Sequence, residues 1–89
     1  MYLGKVIGTV VSTSKSPTLV GQKLLVVARL TEKLVPDGST EISVDTVGAG
    51  NGEIVIITRG SSARRVPGTE QSVIDSAIIG IVDTVETVN

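Results

Sequence analysis

Asp45-Thr46-Val47-Gly48-Ala49-Gly50-Asn51-Gly52-Glu53 runs directly into Ile54-Val55-Ile56-Ile57-Thr58. Glycines on alternate positions followed by a β-branched run describe a loop of unusual backbone geometry that enters a strand. A glycine loop that cradles phosphate must instead enter a helix, so that the helix's first N–H groups meet the anion. The spacing also differs. The glycines occupy the first, third and fifth positions, where the dinucleotide fingerprint needs the first, third and sixth. The stretch is architecture: Gly48, Gly50 and Gly52 serve a tight connection that needs positive φ or close backbone approach.

On either side of this loop the chain reads as strands. Upstream, Glu41 to Val47 alternates, with Ile42, Val44 and Thr46 opposed to Ser43 and Asp45. Downstream, Glu53 to Thr58 is a fourth strand. Tyr2 to Val11 and Gln22 to Leu30 form the first two strands, joined by a polar segment containing Ser16-Pro17. Pro36-Asp37-Gly38-Ser39 carries the residues of a turn before the third strand. After Pro67-Gly68, Thr69 fits the N-cap of a short helix, with Val73, Ile74, Ala77 and Ile78 on one face. Ile79 to Val88 reads as the last strand. The expected fold is mainly β, one domain over residues 1–89. It is a small five-stranded barrel of the oligonucleotide-binding type with one short α-helix before the last strand.

Composition removes most chemistry. The 89 residues contain no His and no Cys, so Ser-His and Cys-His nucleophiles and thiolate or imidazole metal sites are absent. The acidic residues lack the spacing of a calcium loop. Carboxylate acid–base chemistry or an oxygen-only cation site is all that composition leaves open, and no catalytic, cofactor or metal residue is singled out. Tyr2 is the one aromatic residue, and the net charge of -1 gives no basic field for nucleic acid or anionic lipid. No stretch approaches the ~20 apolar residues that span a bilayer. Met1 to Lys5 does not resemble a signal leader, so the cytoplasm is the expected compartment.

Several strands carry apolar side chains on both sides. Val6 and Val10 oppose Leu3, Ile7 and Val11, and Leu24, Val26 and Ala28 oppose Leu25 and Val27. In a single-layer barrel one of these sides should be polar. A chain of this size covers little of itself, and each Val, Leu or Ile left in water forgoes roughly 1.5–3 kcal/mol. The expected remedy is further copies packed head-to-tail into a ring. The competing reading is that some of these positions lie under loops or the helix.

The segments Gly4-Lys5-Val6-Ile7-Gly8-Thr9-Val10-Val11-Ser12, Lys15-Ser16-Pro17 and Gly21-Gln22-Lys23-Leu24-Leu25 resemble the opening of bacterial microcompartment vertex proteins. These are small shell subunits of carboxysome, ethanolamine-utilisation and propanediol-utilisation compartments. Asp45 to Glu53, Gly60-Ser61-Ser62-Ala63-Arg64 and Ile79-Gly80-Ile81-Val82-Asp83 match the family's other recurring segments in order. The resemblance implies a barrel that forms a homo-pentamer, with a hexamer as the alternative, plugging the five-fold vertices of a shell built of hexameric tiles. Nothing about catalysis follows from the resemblance.

The candidate subunit-interface or axis residues are Asp45, Gly48, Ala49, Gly50, Gly52, Glu53, Gly60, Ser61, Ser62 and Arg64. Asp45 is expected to cap loop N–H groups and Glu53 to pair with an arginine. Arg64 is expected to bond a neighbouring subunit or shell tile, while Lys5, Lys15 and Lys23 are surface charges. The competing function, a single-stranded nucleic-acid module, needs a basic groove and aromatic platforms, which one tyrosine does not supply.

Overall fold

The computed structural model describes residues 1–13, 16–60, 63 and 75–88. Five strands carry the fold: β1 (Tyr2–Val10), β2 (Lys23–Leu30), β3 (Pro36–Asp45), β4 (Ile54–Arg59) and β5 (Ser76–Val82). Neighbours follow the order β1-β2-β3-β5-β4, and β4 pairs back onto β1, closing a barrel. The pairings are antiparallel except β3 with β5, a short parallel contact through Val44↔Ala77 and Asp45↔Ile78. This order is that of the oligonucleotide-binding barrel expected from the sequence.

Branched side chains at alternate positions fill the interior. Val6, Leu25, Val27, Val55, Ile57 and Ile78 form its core, and Ala49 from the glycine loop joins them, fully buried. Gly4 lies among them because nothing larger fits. A Cβ there would stand 2.3 Å from Val27 Cγ1 and 2.7 Å from Ile57 Cδ1. Two bulges explain how one strand supplies apolar groups to both sides. On β1, Val6 pairs with Val27 and Gly8 with Val26, leaving Ile7 as the extra residue. On β5, Ile78 faces Ile57 and Gly80 faces Ile56, leaving Ile79. Each inserted residue exchanges the inward and outward sides for the rest of its strand.

Part of the second apolar side is covered by the chain itself. Val44, Ala63 and Ala77 make a smaller buried cluster outside the barrel wall, packed by Leu24 and by Leu19 of the 3-10 turn Pro17–Leu19.

Three local expectations change. The expected helix from Thr69 falls largely on residues 64–74, outside the described residues, and its last apolar positions, Ala77 and Ile78, belong to β5. Among the described residues there is no α-helix. A helix would set Ala77 and Ile78 on one face, whereas β5 points them to opposite sides, Ile78 into the barrel core and Ala77 into the outer cluster. Pro36 to Ser39 is not the connection but part of β3, where Asp37, Gly38 and Ser39 bulge between the pairs Leu30↔Pro36 and Ala28↔Thr40. A bulge makes the same backbone demands as a turn, which is why its composition misleads. The connection itself is Thr31 to Val35, closed by Thr31 N–H to Val35 O at 2.8 Å and Leu34 N–H to Thr31 O at 2.9 Å. Finally, β5 ends at Val82, not Val88.

Candidate assembly surfaces

β3 decides what the barrel shows to its surroundings. Its register sets Asp45 opposite Lys23, Ser43 opposite Leu25 and Glu41 opposite Val27, so the polar side of this alternating strand is the one that faces inward. Ser43 is buried, and the side chains of Asp45 and Glu41 are only 1% and 13% exposed. The apolar side therefore faces out. Val44 is covered by the outer cluster, but Ile42 is 56% exposed. Ile42 pairs with Val26, which pairs with Gly8 beside the bulged Ile7, itself 52% exposed. The result is an uncovered apolar row across the outer faces of β1, β2 and β3.

The inward polar groups close the two barrel ends. At the end where β3 stops and β4 begins, Asp45 Oδ1 accepts the N–H groups of Val47 at 3.0 Å and Gly48 at 3.1 Å. This is the capping role expected for it. Glu53 differs from its expectation: its Oε1 accepts Gly50 N–H at 2.7 Å, holding the loop from the other side. Gly48 and Gly52 have φ of 79° and 86°, whereas Gly50 is not at positive φ. A Cβ on Gly50 would meet Glu53 Oε1 at 3.4 Å. Gly52 N–H donates to Val6 O at 2.8 Å and Val6 N–H to Glu53 O at 3.0 Å, fastening the loop to β1. Lys23 is more than a surface charge. Its Nζ donates to Ala49 O at 2.7 Å and lies 3.4 Å from Asp45 Oδ2.

The opposite end holds a network of residues that no sequence motif marks. Tyr2 donates its hydroxyl to Glu41 Oε1, and Ser76 Oγ donates to Glu41 Oε2 at 2.9 Å. Ser76 Oγ also lies 2.6 Å from Ser43 Oγ. Arg59 reaches both Glu41 and Asp75, each at 3.5 Å. Arg29 sits over the Tyr2 ring, 4.2 Å from its centroid, and pairs with Asp37 at 3.6 Å. Burial first, then the hydrogen bond and negative charge of Glu41, push the Tyr2 phenol up to about 12, with Arg59 opposing. The charge of Glu41 first, then Tyr2 and last Asp75, raise the Arg59 guanidinium further. The one sequence signal for this network is the period-2 count from Asp45 and Ser43, which reaches Glu41.

The candidate motifs are thus divided. Asp45, Gly48, Ala49, Gly50, Gly52 and Glu53 gather at one end, with Ala49 in the core and Gly48 and Gly52 exposed. Gly60 follows β4 at the other end, its N–H donating to Asp75 O at 2.8 Å. Ser61, Ser62 and Arg64, like Lys15, lie outside the described residues. Among the described residues no group of three or more carboxylates could hold a metal ion, and no helix is long and apolar enough to cross a membrane.

A family model described as ethanolamine utilisation protein EutN/carboxysome covers residues 1–83. The chain is 76% identical, over the full length of both, to the bacterial microcompartment shell vertex protein GrpN of Rhodospirillum rubrum (strain F11). It is 49% identical to the shell vertex protein PduN of Salmonella typhimurium (strain LT2), over 94% of this chain and 97% of that one. A solved structure of the GrpN pentameric microcompartment shell protein from Rhodospirillum rubrum superposes with a TM-score of 0.91 at 75% identity, covering 99% of this chain and all of that one. Gloeobacter violaceus CcmL gives 0.94 at 45% identity, covering 98% and 90%. The chain belongs to the EutN/CcmL family, the family of these microcompartment shell vertex proteins.

Proposed function

We propose that this protein is a structural shell subunit that closes into a pentameric ring and caps the vertices of a bacterial microcompartment in the cytoplasm. The outward side of β3 carries the reading. The strand buries Glu41, Ser43 and Asp45 and leaves Ile42 in line with Val26 and Ile7 on the surface. Leaving those isoleucines in water costs roughly 1.5–3 kcal/mol each, so a sequence that places them there is adapted to a neighbouring copy. Relatives described as pentameric supply the number five. A vertex position further implies hexameric shell tiles around the ring. The exposed Gly48 and Gly52 turns and the Gly60 to Arg64 segment are assigned to the boundaries between subunits or the ring axis.

The barrel's other common use finds no support. Stacking single-stranded bases needs free aromatic faces, and the ring of Tyr2 is occupied by Arg29 and its hydroxyl by Glu41. Native mass spectrometry at micromolar concentration tests the reading directly, with a pentamer expected. A monomer overturns it; a six-membered ring keeps the assembly and removes the five-fold vertex.

A further inference from the structure

β5 ends at Val82, and residues 83–88 continue without strand pairing or hydrogen bond among the described residues. The family model stops at residue 83, whereas the match to the GrpN relative runs through residue 89. Val85 is half-buried and Val88 fully exposed. The segment departs from the glycine-loop end of the barrel, and the topology gathers other uncovered valines there. Val11 follows β1 at 88% exposure, Val20 precedes β2 at 67%, and Val47 follows β3 at 39%.

A free strand edge lies at the same end. β1 pairs with β4 as far as Lys5, and Val6 exchanges its two bonds with Gly52 and Glu53. From Ile7 to Val10 the side of β1 turned away from β2 has no strand partner among the described residues. An unpaired edge beside apolar side chains is the receiving half of strand addition, and an unpaired extended segment is the donating half. The chain's own segment leaves the same barrel end yet does not occupy the edge. Laid out as a strand, the five residues 84–88 cover about 16 Å at roughly 3.3 Å each, enough to run the length of the Ile7–Val10 edge.

We propose that residues 84–88 of each copy lie as an added strand along the Ile7–Val10 edge of β1 in a neighbouring copy, with Val85 and Val88 covering its Val11, Val20 and Val47. The proposal rests on the ring reading and deepens it, because a strap donated one way and received the other ties subunits head-to-tail. The test compares the full-length protein with the full-length double variant Val85→Asp/Val88→Asp, by hydrogen exchange and by mass photometry over a dilution series. In the wild-type ring, amides of 84–88 and of 7–10 should both exchange slowly. The double variant should lose protection in both segments. Its half-dissociation concentration should rise at least about tenfold, equivalent to about 1.4 kcal/mol, with an unchanged circular dichroism spectrum. Free exchange of 84–88 in the wild-type ring, or a variant that dissociates like the wild type, overturns the strap and leaves the ring standing. A monomeric wild type overturns both.

Discussion

Each end of the barrel is closed around a carboxylate, and the two ends do it by different means. At the loop end, Asp45 and Glu53 accept backbone N–H groups two or three residues away. At the other end, Glu41 is reached by Tyr2 and Ser76, 39 and 35 residues distant. The first arrangement needs only a short piece of chain in the right conformation. The second exists only once β1, β3, β4 and β5 have met, so it reports closure of the barrel and cannot direct it. The loop end should therefore respond to local backbone changes, and the network end to charge and pH.

The largest effect should come from Asp45. Replacing it with Ala removes a nearly buried carboxylate that accepts the N–H groups of two exposed loop residues, and also ends its contact with Lys23. Bonds to a charged acceptor contribute about 1.5 kcal/mol or more each, so Asp45→Ala should cost about 3 kcal/mol in urea unfolding at fixed protein concentration. Asp45→Asn keeps an oxygen acceptor and should cost about 1 kcal/mol. An alanine variant within about 0.5 kcal/mol of wild type, the usual spread of neutral substitutions, would show that local capping does not hold this end.

A smaller effect separates the loop glycines from one another. Gly48 has φ of 79°, and Gly50 has no positive φ. Gly48→Ala should cost about 1 kcal/mol or more, since L-residues resist the left-handed region. Gly50→Ala should be near neutral, with its Cβ at ordinary contact distance from Glu53 Oε1. Equal losses at the two positions would mean the loop is held by its neighbours in the ring and not by its own dihedrals.

The same contrast sets what could be read before the structure. The Asp45 cap was legible because its donors lie within three residues of it, whereas Glu53, read as an arginine partner, instead holds Gly50 N–H. The five strands and barrel class followed from β-branched runs, and the demand for a partner from apolar residues on both strand sides. Glu41, Arg59 and Ser76 were not legible, because nothing local marks three polar residues on three strands as one network. The bulge at Ile7 was equally hidden, since one inserted residue reverses the sides without changing the composition. Strand β3 is the sharpest case: its alternation was plain, but only pairing with β2 reveals that the polar side faces in.

The network end gives the last and smallest effect, visible only at high pH. The Tyr2 phenol is raised from its ordinary 10 to about 12, first by burial and then by Glu41. Below pH 10 the phenol is protonated in both folded and unfolded chains, and its contribution to stability is complete. As pH rises from 10 towards 12 the unfolded chain ionises first, so that contribution is lost. Wild-type stability should therefore fall relative to Tyr2→Phe across this window, because phenylalanine has no proton to release while both proteins share every other titration. Tyr2 is the chain's one tyrosine, so phenolate absorbance follows it without assignment. Glu41→Gln removes the neighbouring negative charge and should bring the transition back towards 10. A wild-type phenol that already titrates near 10 would mean that Glu41 and Tyr2 do not close this end together, and the contrast between the two ends would lose its second half.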